Sequence, residues 1–302
     1  MKPRILMLFA FLALATSALA APQVVTLDSN SPLISVRIMI KAGSALDPIG
    51  KEGLASLTAQ ALLDGGYGPD DAIVTKEDLA RRTQSWGQGA GPSVSVNREV
   101  TVISMTIPRD ALEAYVAEVL RPLLSLPRFA NDEVDRLRNE ATTDLTGRMR
   151  YEAIELLGLE SLDNFIFEGT SYGHNVSGSV QGLTSITSAD VRGFFARYYR
   201  EDSIVVGLST TEGAVKDIVV GAIAGVGEVV GDKTEPALTE FTGATPIDGR
   251  HAVVVRMPNS GSTGVHFGFP LPIDRTHEDF WPLWVANVHL GTHRDSYGLL
   301  YT

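Results

Sequence analysis

The stretch LISVRIMIK, residues 33–41, places Ile34, Val36, Ile38 and Ile40 on one side of an extended chain. A period of two predicts a strand with one face in a core. After the turn DPIG at 47–50, KEGLASLTAQALLDGG (51–66) changes to the helical period. Leu54, Leu57, Ala61 and Leu62 fall at i, i+3, i+7 and i+8, a core-facing stripe, and Gly65 and Gly66 stand where a left-handed cap stops a helix. A one-faced strand followed by a one-faced helix is best buried with the helix across the sheet. The expected class is α+β, a mostly antiparallel sheet with packed helices. The neighbouring helix face carries Ser56, Ala59 and Gln60, where a solvated helix would show Lys and Glu. That face needs an explanation.

Further elements follow from pattern. QVVTLDS is a strand, a helix starts at Thr75 with Asp78 completing a capping box, and PSVSVNREVTVISMTIP (92–108) is a strand or strand pair. Periodicity predicts helices over about 109–124, 130–147, 150–167 and 188–199. Residues 170–179 read as a loop, 203–210 as a buried strand, and 231–246 as an inter-domain linker rich in Pro, Gly, Thr and charge. HAVVVRMP and STGVHFGFPLP beyond it read as strands.

Residues 1–20 combine Lys2 and Arg4, the short apolar run ILMLFAFLALA and the small-residue ending ALA. These are the parts of a signal peptide cleaved between Ala20 and Ala21, and the run is short of the ~20 apolar residues of a span. The chain is therefore expected in the periplasm or outside the cell, with no stable membrane insertion after cleavage. Loss of the leader makes the chain more acidic than its formal −11, which argues against nucleic acid and anionic lipid. The absence of cysteine excludes disulfides, thiolate metal sites and a cysteine nucleophile.

The strand–turn–helix unit has an echo: VRIMIKAG and KEGLASLTAQALLDGG are matched by VHFGFPLP and HEDFWPLWVANVHLGT. Two related domains are expected, 21–240 and an incomplete second one over 247–302, in a chain that reads as truncated at Thr302.

The run VRIMIKAGSALDPIGKEGLASLTAQALLDGG resembles the opening of the pitrilysin/insulinase (inverzincin) metallopeptidases. SYGHNVSGSVQGLTSITSADVRGFFARYYREDSIVVGLS resembles a second block of that family, and HEDFWPLWVANVHLGTHRDS the start of its second domain. The resemblance implies pseudo-repeated domains and, on the first helix, a zinc motif H-x-x-E-H. Two histidines at i and i+4 share a helix face and one metal, while the glutamate activates the bound water. At those positions this chain has Ser56, Ala59 and Gln60. None supplies an imidazole or a carboxylate. The family's third ligand maps to Glu140 or Asp144, both otherwise members of a solvated helix face.

The resemblance thus implies a chain with no metal and no cofactor of its own, an inactive subunit. Its partner would be a zinc-bearing homologous subunit, with peptide substrates held between the two. Rival sites are weaker. His289 and His293, with Asp295 nearby, have metal-ligand spacing, but Gly291 lies between them; they are the alternative for a relocated zinc peptidase. His174 belongs to a structural loop, and His277 precedes a helix start. GSTG within 259–264 lacks the strand-to-helix context of a nucleophile elbow, and WGQGAGPS (86–93) leads into a strand, so it cradles no phosphate. A non-enzymatic binding or assembly protein and a fragment that does not fold are the remaining readings.

Overall fold

The computed structural model describes residues 22–149, 153–227, 248–257, 261 and 263–292. The leader, the linker at 231–246, and His293 and Asp295 lie outside the described residues.

The order begins with β1 (Gln23–Thr26) and β2 (Leu33–Ile40), then α1 (Leu54–Asp64) and α2 (Lys76–Gln84). β3 (Ser93–Val96) and β4 (Thr101–Pro108) follow. α3 (Leu112–Tyr115) and α4 (Arg121–Ser125) are joined by a wide turn at Val116–Leu120, and α5 is Asn131–Asp144. α6 (Ile154–Ile166), α7 (Val180–Ser185), α8 (Ser188–Tyr198), β5 (Ile204–Leu208) and α9 (Gly213–Ile223) complete the main body; α10 (Phe280–Asn287) comes later. The sheet order is β1-β5-β2-β4-β3. β1 runs parallel to β5 and the other pairs are antiparallel.

β2 is the centre. It pairs with β4 from Leu33↔Pro108 to Ile40↔Thr101 and with β5 from Val36↔Leu208 to Ile40↔Ile204. This register puts Ile34, Val36, Ile38 and Ile40 in one layer with Ile103, Met105, Ile107, Val206 and Leu208, all buried. The α1 stripe of Leu54, Leu57, Ala61 and Leu62 is buried in the same core. Each such side chain contributes about 1.5–3 kcal/mol by leaving water, so the apolar faces read from the sequence for strand and helix end in one core.

Local signals behave as expected at several ends. Gly66 takes the left-handed conformation (φ 78°) just after α1. Thr75 and Asp78 form the expected capping box at α2; Thr187 and Asp190 form a second at α8, which the sequence reading did not name. The helix predicted over 109–124 is interrupted at Val116–Leu120, and Pro122 gives the reason. Proline has no N–H for the Glu118 carbonyl and its ring collides with that group. The widened turn relieves the collision, and Tyr67 Oη donates to the Glu118 oxygen instead, at 3.2 Å.

Three differences from the sequence reading stand out. The helix expected from 150 starts at Ile154. α7 and α9 were not anticipated. The described residues of the two segments expected as strands, 251–257 and 263–270, form no strand and belong to no ladder. They run against α6 instead. A Cβ on Gly158 would lie 2.3 Å from His266 Cδ2, and the rings of Phe165 and His251 are 5.6 Å apart. Alternation identifies a strand-like chain, but a strand also needs a neighbour to accept its hydrogen bonds.

Leu62→Ala, in the centre of the core, is expected to lower the unfolding free energy by about 2–5 kcal/mol. Leu159→Ala, on the half-exposed side of α6, should change it by only about 0.5 kcal/mol. Urea titration of both variants followed by circular dichroism makes the comparison.

Candidate functional site

Three segments that are far apart in sequence meet at the N-terminus of α1. The first helical N–H groups have no partners within the helix, and Gly53, at the cap with φ 103°, has no side chain to serve them. Asp47 does so from a distance. Its Oδ2 accepts from Gly53 N–H and its Oδ1 from Ala55 N–H, each at 2.7 Å. The Asp47 side chain is fully buried, and His174 Nε2 lies 3.3 Å from Oδ2. Burial pushes the Asp47 carboxyl above its ordinary range, against the opposing effect of His174 and the two amide bonds.

The 174–185 segment closes on the same place. Glu52 accepts from Gly50 N–H at 2.8 Å and from Ser179 Oγ at 3.1 Å. A Cβ at Gly178 would lie 2.3 Å from the Glu52 carbonyl oxygen, and one at Gly182 would lie 2.6 Å from the Glu52 nitrogen. Only glycine permits this approach. Lys51 pairs with Asp190 at the start of α8. The β3–β4 hairpin is the third segment. Its Asn97 and Arg98 carbonyls accept from Ser44 and Ala45, and Arg98 Nε donates to the Tyr172 carbonyl at 3.2 Å. Arg98 also pairs with Asp163 at 3.1 Å and lies 3.9 Å from Glu160 on α6. Burial raises the Glu160 carboxyl, with Arg98 opposing. Tyr172, which donates to Glu99 at 2.7 Å, is pushed up to about 12 by burial and then by that carboxylate.

On α1 itself, Ser56 Oγ donates to the Val176 carbonyl at 2.6 Å, Ala59 is fully buried, and Gln60 is half-buried. The small polar face packs under the 174–179 loop at Ser56 and is covered completely at Ala59, while Gln60 stays partly exposed. Glu140 and Asp144 sit on α5 along a shallow groove that also includes Arg136, Thr143 and Arg148. Glu140 accepts from Arg136 at 2.7 Å, and Asp144 takes two bonds from Arg148 at 2.6 and 2.9 Å. These are i, i+4 pairs on a solvated face.

The fit to zinc is poor on chemistry alone. The Ser56 hydroxyl is committed to a carbonyl, Ala59 has no donor atom, Gln60 is a neutral amide, and both acidic candidates are held by arginine. Among the described residues no group of three or more His, Asp or Glu side chains is placed to hold a metal ion. His289 is exposed on the turn after α10, while His293 lies outside the described residues. His277 Nδ1 accepts from Asp279 N–H at 3.1 Å just before α10, a helix-start role. His174 is a structural partner of Asp47. The sequence had marked Asp47 only as a turn residue and had not singled out Glu52, Arg98 or Glu160, whose partners lie far away in the chain.

No protein-family model and no curated protein sequence matches the chain. Solved structures do. The inactive domain of a peptidase M16 from Pseudomonas fluorescens superimposes with a TM-score of 0.57 at 20% identity, over 68% of this chain and 48% of that one. A protease from Helicobacter pylori gives 0.59 at 16% identity, over 70% and 50%. The fold is that of M16, pitrilysin-type, peptidase domains. The chain spans about half the length of the solved structures it matches.

Two substitutions probe the junction. Ala59→Glu places an unpaired carboxylate in a buried position and is expected to destabilise the chain by several kcal/mol. A neutral outcome in thermal unfolding would mean that the face is open after all. Asp47→Asn tests the raised carboxyl. A group with a raised folded-state pKa lends stability that is complete below its unfolded value of about 3.9 and is lost as pH rises through the folded value. The stability difference between the native chain and Asp47→Asn should therefore shift toward the native chain as pH falls from 7 to 4. A flat difference would show that His174 and the amide bonds cancel the burial.

Proposed function

We propose that the chain is a non-catalytic homologue of the M16 zinc endopeptidases, the inactive subunit of a pair whose zinc-bearing member cuts peptides in the periplasm. The observation that carries the reading is the state of α1. On this reading α1 matches the family's zinc helix and presents Ser56, Ala59 and Gln60; Ser56 is bonded to the 174–179 loop and Ala59 is packed in the core. Catalysis by this family requires two imidazoles and a general base on that helix. The proposed chain contributes scaffold and contact surface, and its partner holds the metal. The basic, apolar and small-residue pattern of residues 1–20 supports export, and the acidic balance supports a protein or peptide partner over nucleic acid. The likeness of the fold to the inactive domain from Pseudomonas fluorescens is in keeping with this role.

Native mass spectrometry of the chain isolated from its own periplasm tests the proposal. It is expected to show the chain without its leader, bound to a homologue that carries H-x-x-E-H, with one zinc per pair. A chain that binds stoichiometric zinc by itself and cleaves peptides would overturn it.

A further inference from the structure

α6 is held differently on its two sides. Towards the sheet its contacts are polar. Among the described residues no apolar side chain from 146 to 182 joins the hydrophobic core or packs against it, and within α6 Ile166 alone is buried. What meets the helix on this side is Arg98, at the tip of the β3–β4 hairpin. The tip is fixed to the body, since its Asn97 and Arg98 carbonyls accept from Ser44 and Ala45 at 3.0 and 2.8 Å. Towards the later chain the contacts of α6 are apolar. A Cβ on Gly264 would lie 3.1 Å from Ile154, and one on Gly268 would lie 3.4 Å from Leu162 and 3.5 Å from Ile166. The helix packs with 263–270 and is pinned to the hairpin by charge.

The pin is incompletely satisfied. Arg98 Nη2 lies 3.1 Å from Asp163 Oδ2 and 3.9 Å from Glu160 Oε2, without hydrogen-bond geometry to either. Glu160 Oε2 and Asn164 Oδ1 are likewise buried with no hydrogen-bond partner. A buried polar atom left unpaired carries its full desolvation cost, so water entering this seam would relieve all three. Attraction between charges closes the seam, and hydration favours opening it. Elements with few buried apolar contacts are those that move within a folded protein.

We propose that α6 and the segment 263–270 move as one body that opens away from the β3–β4 hairpin, with Arg98 as the latch. The bond from Arg98 Nε to the Tyr172 carbonyl belongs to the same latch, so one side chain holds both the helix and the loop that leaves it. The motion is a property of this chain alone and is independent of its role as an inactive subunit.

The chain has no cysteine, so paired spin labels on the chain without its leader report the motion. Leu159 on α6, Phe267, Glu77 on α2 and Glu113 on α3 are all exposed. Labels on Leu159→Cys and Glu113→Cys are expected to give one narrow distance distribution by double electron–electron resonance. Arg98→Met should at least double its width. Asp163→Asn with Glu160→Gln removes the same attraction from the other side and should do likewise. Labels on Leu159→Cys and Phe267→Cys should stay narrow in both variants, as should Glu77→Cys with Glu113→Cys, a pair that reports an intact core. A 159–113 distribution that neither variant changes overturns the latch, as does one already broad in the native chain. Broadening of the 159–267 pair overturns the single moving body. Broadening of the 77–113 pair overturns the proposal too, because Arg98 would then support the core itself.

Discussion

The buried carboxylate of Asp47 ties together the parts on which the first helix depends. A helix that starts on glycine after a tight turn has unsatisfied N–H groups at its first residues, and burying them unpaired costs about 1–3 kcal/mol each. Asp47 takes two of them and meets His174 on the same oxygen. The helix start, the turn before it and the loop at 172–179 are therefore positioned by one side chain. With α1 held there, its apolar stripe joins the core that the buried faces of β2, β4 and β5 line. Glycines at 53, 178 and 182 allow the backbones to come this close.

The neighbouring face of α1 has other work. The stripe of Leu54, Leu57, Ala61 and Leu62 carries the helix's share of the core by itself, so the face with Ser56 and Ala59 is free to take other packing roles. Ser56 bonds a loop carbonyl and Ala59 is covered. The carboxylates on α5 find arginines one turn away, where they are worth a few tenths of a kcal/mol in solvent and no more.

The residues after the linker obey a different balance. In the first unit β2 has a neighbour on each edge and a helix across it, so its alternation ends in burial. The echoed segment at 263–270 has the same alternation with its small face on α6 and its large face outward. The same sequence pattern thus gives a core strand in one place and an exposed apolar row in the other. Pattern encodes which face is apolar; what that face meets depends on the surrounding polypeptide.

The five strands of the sheet and most helices were legible in the sequence because alternation, helical period and a capping pair such as Thr75 with Asp78 act over a few residues. The residue types at 56, 59 and 60 were equally plain, and none of them is an imidazole or a carboxylate. α7 and the junction at Asp47 were not legible, because each depends on partners more than a hundred residues away, such as Gly50 for Ser185 and His174 for Asp47; the wide turn before Pro122 had a local signal, the proline itself, that periodicity alone passes over. By itself the sequence determined the α+β elements, their apolar faces and the absence of an imidazole pair on α1. Only the tertiary structure decided that Ala59 is covered, that Asp47 and His174 hold the start of α1, and that 263–270 lies on a helix. Local periodicity records what each segment must hide from water, whereas hydrogen-bond partners and covering surfaces exist only once distant segments meet.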